Sequence, residues 1–355
     1  MEAVNGPDHI HERLALSTQV LAAGEELGDR RLVLQGHEWR LRHLLELGGV
    51  EQANQAALLL GRIAEELHDD QYLWYSAVHR AMQSCVEGRF DEAERLALDA
   101  LAAGRHLGGR HPTRRRDRRR DRPAELTHQV QLFVLRWLQG RMGEIVPELE
   151  GLLADDPSDD AWLSGLALLY SEQGRELETR QVVDSVAAHG LANLARTPEW
   201  LPKMAALSHA VAFLGDATRA GELYALLLPY ESRNCTILEL AFFGSASHAL
   251  GLLAATMGRP LEAERHLLGA LNRHQRMGSS PWVAMTEHAL ARVLFQRGRP
   301  GDWERAEAMM RTATVRASSL GMSALESRLR ALQAYAGTRR SPAADPAGPP
   351  TWRTA

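Results

Sequence analysis

From Asp91 onward the apolar side chains fall at Ala93, Leu96, Ala97, Ala100 and Leu101, while Glu92, Glu94, Arg95 and Asp99 take the other side. Spacing of i, i+3, i+4, i+7 and i+8 is that of an amphipathic helix burying one stripe. The chain then repeats itself. Gly88 to Leu101 returns as Gly258 to Leu271 with nine of fourteen positions identical, including the whole Glu-Ala-Glu-Arg run. Self-similarity of this kind marks a helical repeat array, in which each unit buries its face against its neighbours. Gly48, Gly88, Gly140, Gly174, Gly215, Gly258 and Gly298 punctuate the chain at intervals of 40, 52, 34, 41, 43 and 40 residues. Two helices and two turns fill such an interval. Glycine suits these places because it closes a helix in the left-handed conformation. No segment alternates with period two for long enough to predict a strand. The pattern predicts an all-α solenoid of about seven helical hairpins plus a capping helix near residues 322–335.

Two stretches break the order. Residues 108–124 hold prolines on both sides of an arginine cluster, and residues 338–355 place Pro342, Pro346, Pro349 and Pro350 among small residues. The expected organisation is therefore hairpins over 1–107, an Arg-rich insert over 108–124, hairpins over 125–337, and a disordered tail over 338–355.

Composition narrows the class. The 355 residues are 45% hydrophobic and 24% charged, enough apolar material for a long core. No apolar run approaches the roughly 20 residues of a membrane span. Met1 to His11 is polar and acidic, unlike a signal peptide. Cys85 and Cys235 are too few and too isolated for a disulfide framework or a zinc site. A cytoplasmic protein without membrane association is expected. Between Arg110 and Arg122 eight arginines stand against two aspartates, a local charge of +6. With a total of −4, the remainder of the chain carries about −10.

Gly-x-x-x-Glu-Ala-Glu-Arg followed by Leu-x-Ala-Leu resembles the second helix of a tetratricopeptide repeat. The larger order, from about Leu14 to Leu332, resembles the TPR-like helical arm of MalT-like or LuxR-type STAND ATPase regulators of actinobacteria. Trp39-Arg40, Leu44-Leu45-Glu46-Leu47-Gly48, Leu227-Leu228-Pro229-Tyr230, and Met277-Gly278 ahead of Pro281-Trp282 carry that likeness. In such regulators an ATPase domain precedes the arm and a helix-turn-helix lies beyond it. Neither is found here. A P-loop needs Gly-x-x-x-x-Gly-Lys-Ser/Thr, and the only lysine, Lys203, sits between Pro202 and Met204. What the resemblance implies is a sensor or interaction arm in a signal-transduction or transcription-regulatory system. The alternative is a stand-alone TPR scaffold or adaptor with no regulatory role.

Candidate chemistry is sparse. His37 and His43 in the run His37-Glu38-Trp39-Arg40-Leu41-Arg42-His43 stand six apart, not the four that zinc ligation on one helix face requires. Ser208-His209 and Ser247-His248 are neighbours in sequence, which on a helix points them about 100° apart rather than into a nucleophile–base pair. No enzyme, cofactor or metal site is expected. Arg114, Arg115, Arg116, Arg118, Arg119 and Arg120 form a candidate basic patch, but no aromatic is interleaved to stack a base. Nucleic acid is therefore not the expected partner. The first helix of each hairpin generally lines the concave surface of such arrays. That places Trp39, Trp74, His79, Gln129, Gln131, His248, Glu287 and His288 as candidate residues for a protein or peptide partner, or for a small-molecule effector. The competing expectation for Trp39 and Trp74 is that they fill gaps between helices.

Overall fold

The computed structural model describes residues 6–108, 123–156 and 158–339. The arginines from Arg114 to Arg120 and most of the Pro-rich tail lie outside the described residues. Among the described residues sixteen α-helices follow one another, broken by a short two-stranded hairpin. After α1 (Ile10–Leu27) the turns join them as seven successive pairs, with one helix to close. The fold is an all-α helical repeat, as the glycine spacing predicts.

Helix boundaries follow the local chemistry. Asp29, Asp69, Asp159 and Asp216 each stand just before a helix and accept hydrogen bonds from the exposed backbone N–H groups of its first turn. Gly28, Gly48, Gly88, Gly298 and Gly321 close helices in the left-handed conformation. His68 occupies the equivalent place after α3 with φ 52, where α1, α2, α4, α14 and α15 use glycine.

Contacts divide the chain into two units. The first holds α1, α2 (Arg30–Leu47), α3 (Val50–Leu67), α4 (Asp70–Glu87), α5 (Phe90–Gly108) and most of α6 (Pro123–Gln139), with residues 196–200 and 234–242. Neighbours in sequence pack on one another from α1 through α5. Close approach is built in: a Cβ on Gly36 would stand 2.9 Å from the Leu21 backbone of α1. Trp74, Val78, Ala100 and Ala124 form the core between α4, α5 and α6, with Leu240 packed against them. The Trp74 indole N–H donates to the Ala100 carbonyl at 3.0 Å.

The second unit holds the last turn of α6, then α7 (Val146–Asp155), α8 (Asp160–Glu172), α9 (Glu176–Ala187), most of α10 (Trp200–Leu214), α11 (Ala217–Leu227), α12 (Ala246–Thr256), α13 (Pro260–Arg276), α14 (Ser280–Arg297), α15 (Asp302–Leu320) and α16 (Ser323–Arg339). α13 buries one stripe, Ala263, His266, Leu267, Ala270, Leu271 and His274, as its repeat sequence requires. α14 differs, because every residue from Pro281 to Phe295 is buried. Its neighbours are α13, α15, α12 and α16. A helix enclosed on all sides has no polar face to show water, so any polar side chain on it needs an internal role.

The hairpin corrects the expectation that the chain holds no strand. β1 (Asn234–Ile237) and β2 (Ala241–Ser245) are four and five residues long and almost wholly buried. With both faces covered, their sequence reads as a continuous apolar run rather than an alternation. The tip is anchored inside the first unit. Asn234 donates to the Leu45 carbonyl of α2 at 2.7 Å, and Gln131 of α6 donates to the Leu240 carbonyl at 3.2 Å.

Candidate ligand-binding site

Five helices of the second unit converge on one cavity, and each is the first of its pair or the closing helix. α14 contributes Met285, His288, Ala289 and Arg292, spaced i, i+3, i+4 and i+7 along one face. α10 contributes His209, Ala212 and Phe213, and α12 contributes His248 and Leu252 at i and i+4. Ser171 and Glu172 close it from the end of α8, and Leu325 and Arg328 from α16. The cavity measures about 60 Å³.

His209 and His248, which line the cavity, belong to a cluster of rings. The Trp282 ring meets Trp137 edge-on at 5.3 Å and His248 edge-on at 5.4 Å, while His209 and His248 stack at 5.5 Å. Gly244, at φ 81, lies flat against Trp282, whose ring would sit 2.5 Å from any added Cβ. Only glycine fits that backbone and that contact.

Hydrogen bonding fixes a tautomer. Thr286 donates its single hydroxyl proton to the Trp282 carbonyl at 2.7 Å. It must therefore accept from the two imidazoles that approach it, His248 Nδ1 at 2.9 Å and His274 Nδ1 at 3.0 Å. His274 fits this, since its Nε2 accepts from the Ser245 backbone N–H at 3.1 Å. His248 is likewise protonated on Nδ1, which leaves Nε2 as a lone-pair acceptor.

Electrostatics keep the imidazoles neutral. Burial, with a smaller push from Arg328, holds His209 down at about 3. Burial followed by the His209 ring holds His248 well below its ordinary value, and burial followed by Arg292 and Arg328 does the same to His288. Arg292 is lowered to about 9 by burial and then by Arg328, so it remains a cation at neutral pH. Arg328 forms an ion pair with Glu172.

The sequence candidates divide between the two units. His248 and His288 line the cavity together. Glu287 is buried beside them in sequence but faces Arg316 of α15, 3.7 Å away, and burial raises its carboxyl. In the first unit Trp74 and Gln131 are both buried. Trp74 is core, and Gln131 is buried with its amide donating to the Val78 carbonyl at 2.8 Å and to Leu240. His79 is also buried, and burial holds it at about 4. Trp39 and Gln129 are half-buried on α2 and α6. Trp74 and Gln131 are taken up by packing because Leu240 lies against both.

Other readings can be placed as well. Ser208 and Ser247 turn their hydroxyls to the backbone carbonyls of Met204 and Glu231, at 2.7 and 2.8 Å, not to an imidazole. Lys203 donates to Asp160 at 2.9 Å. Among the described residues no group of three His, Cys, Asp or Glu side chains is arranged to hold a metal ion, and no helix is long and apolar enough to cross a membrane.

Sequence reasoning passed over Arg292, Arg328 and Glu172, and weighed His209 only as the neighbour of Ser208. The signal was legible on α14. Arg292 interrupts Ala289-Leu290-Ala291 and Val293-Leu294-Phe295, four positions after His288, on a helix otherwise apolar at that end.

Fold and site together define a helical-repeat protein with a partly open pocket of mixed polar and apolar walls. No protein-family model matches this chain, and no curated protein matches it.

Proposed function

We propose that the chain is a non-catalytic helical-repeat arm whose second unit senses a small molecule, serving a signal-transduction or transcription-regulatory system of the MalT-like or LuxR-type STAND ATPase kind. The observation that carries this reading is the convergence of α8, α10, α12, α14 and α16 on one cavity with polar walls. Small-molecule sites are concave, with a few placed polar groups among apolar ones, and they favour the space between helices of a bundle. A ligand there touches five helices at once, so its binding free energy is available to bias how they pack.

An adaptor role is the second reading. It is favoured by the first unit, where an extended piece of the chain is held by Gln131 of α6 donating to the Leu240 carbonyl, by its own Asn234 donating to the Leu45 carbonyl of α2, and by the Arg42–Glu239 pair. Side-chain amides gripping an extended backbone are a general means of binding a peptide.

The deciding experiment is a titration of the full chain, labelled with ¹⁵N-histidine, against small acids, sugars and amines. Sensing predicts that one compound saturably shifts the His209, His248 and His288 signals and leaves the exposed His11 and His68 unmoved. If no compound moves the cavity imidazoles while a protein partner is captured, the adaptor reading replaces it.

A further inference from the structure

Arg292 and Arg328 both reach the cavity, from α14 and α16. The other formal charge on its wall is Glu172, which Arg328 already engages. The three imidazoles contribute no charge at neutral pH because burial keeps each of them neutral. Two cations and one carboxylate thus line one small, partly open pocket.

Size limits the occupant. A water-sized group needs roughly 10–15 Å³ of such space, and the cavity offers about 60 Å³. A solute of about four to six non-hydrogen atoms fills that space.

Resting on the sensing reading above, we propose that the cavity binds a small oxyanion, a short carboxylate or inorganic phosphate, held by Arg292 and Arg328, with His248 Nε2 accepting from any hydroxyl it carries. Guanidinium groups match the planar or tetrahedral oxygens of such anions with two donors each. The low-dielectric surroundings strengthen the attraction relative to water. Burial and Arg328 both work against the charge on Arg292, and a bound anion offsets both. The lone pair on His248 adds selectivity, because a site with a fixed acceptor rejects analogues that lack the matching donor.

The experiment is isothermal titration of the full chain with acetate, glycolate and phosphate as sodium salts, against sodium chloride at matched ionic strength. The expected result is saturable binding of at least one oxyanion, weakened at least tenfold in Arg292→Met. Glycolate outbinding acetate marks a hydroxy-carboxylate, and phosphate outbinding both marks a phosphate. Equal heats from chloride and the oxyanions, or unchanged binding in Arg292→Met, overturns the proposal. If circular dichroism shows that Arg292→Met does not fold, the wild-type His248 ¹⁵N signal decides in its place. A saturable shift with an oxyanion supports the site, and its absence rejects it. A neutral or cationic compound that shifts His248 where no oxyanion does leaves the sensing reading standing and removes the anion.

Discussion

Arg328 on α16 pairs with Glu172 at the end of α8, although 156 residues separate them. Alongside it, Ser323 at the start of α16 donates to the Gln139 carbonyl at 2.9 Å. The last helix of the second unit is therefore fastened to its earliest helices, and the cavity lies where they meet.

The pair makes an asymmetric prediction. Glu172→Gln leaves Arg328 and Arg292 facing each other without the carboxylate, whereas Arg328→Met relieves Arg292 and leaves it as the cation on the same wall as Glu172. Unpairing a buried charge costs about 3–5 kcal/mol, and the partial exposure of Arg328 reduces that. Urea unfolding is expected to show Glu172→Gln destabilised by about 2 kcal/mol and Arg328→Met by less than half as much. Equal costs would mean that the two arginines do not sense each other.

Acid sensitivity follows from the buried imidazoles. Burial first of all lowers His43 to about 3, His79 to about 4 and His209 to about 3. Unfolded, these groups bind protons near 6.5, so below that pH the unfolded state binds more protons than the folded one. Stability is then lost as pH falls from about 6.5 toward 4, by about 1.4 kcal/mol per pH unit for each such group. Glu38, raised to about 7 by burial, acts in the opposite sense between about 4.5 and 7, and Glu287, also raised by burial, adds to it. The histidines outnumber them. The urea midpoint is expected to drop steeply between pH 6.5 and 5, and a flat profile would show the imidazoles to be hydrated in the folded protein.

The hairpin tip depends on one guanidinium. Arg42 of α2 engages Glu38 and Glu239, with Nη2 donating to Glu239 at 2.9 Å, and its Cζ lies 5.6 Å from the Tyr75 ring. Arg42→Met leaves the buried Glu239 carboxylate without that partner, at a cost of about 3 kcal/mol. In a Cys85→Ala background, disulfide-reagent labelling of Cys235, buried in β1, is expected to accelerate at least tenfold. Unchanged labelling would show that other contacts hold the strand.

His68 carries a left-handed backbone at an exposed hairpin turn, where α1, α2, α4, α14 and α15 end on glycine in the same conformation. A non-glycine residue in this conformation is strained by about 1 kcal/mol. His68→Gly is expected to raise stability by about that amount in urea unfolding, and a loss instead would reveal a contact made by the imidazole.

The repeat was legible because helices that cover the array, such as α5 and α13, must show one face to water and so carry a clean stripe. α14 was harder to read. Enclosed from Pro281 to Phe295, it has no solvent face, and periodicity carries no information about which buried side chain meets which helix. His248 and His288 could be placed near the inner side by counting along each helix. Arg328 and Glu172 could not, because their meeting depends on how the closing helix returns to α8. The strands escaped notice for a related reason: Thr236, Phe242 and Phe243 favour extended structure, but a run of four or five buried residues looks the same as a piece of buried helix.

The most direct test of a sensing cavity is the thermal unfolding midpoint of the full chain across a panel of small solutes, compared with Ala289→Leu. Ala289 is buried on the cavity wall, so the larger side chain fills the space a ligand would take. The account predicts that at least one solute raises the wild-type midpoint in a concentration-dependent way, by about 2.7 kcal/mol of added stability at a hundredfold excess over Kd. It also predicts that Ala289→Leu, folded, loses that response. A midpoint that no solute moves, or one that moves equally in both proteins, would contradict it.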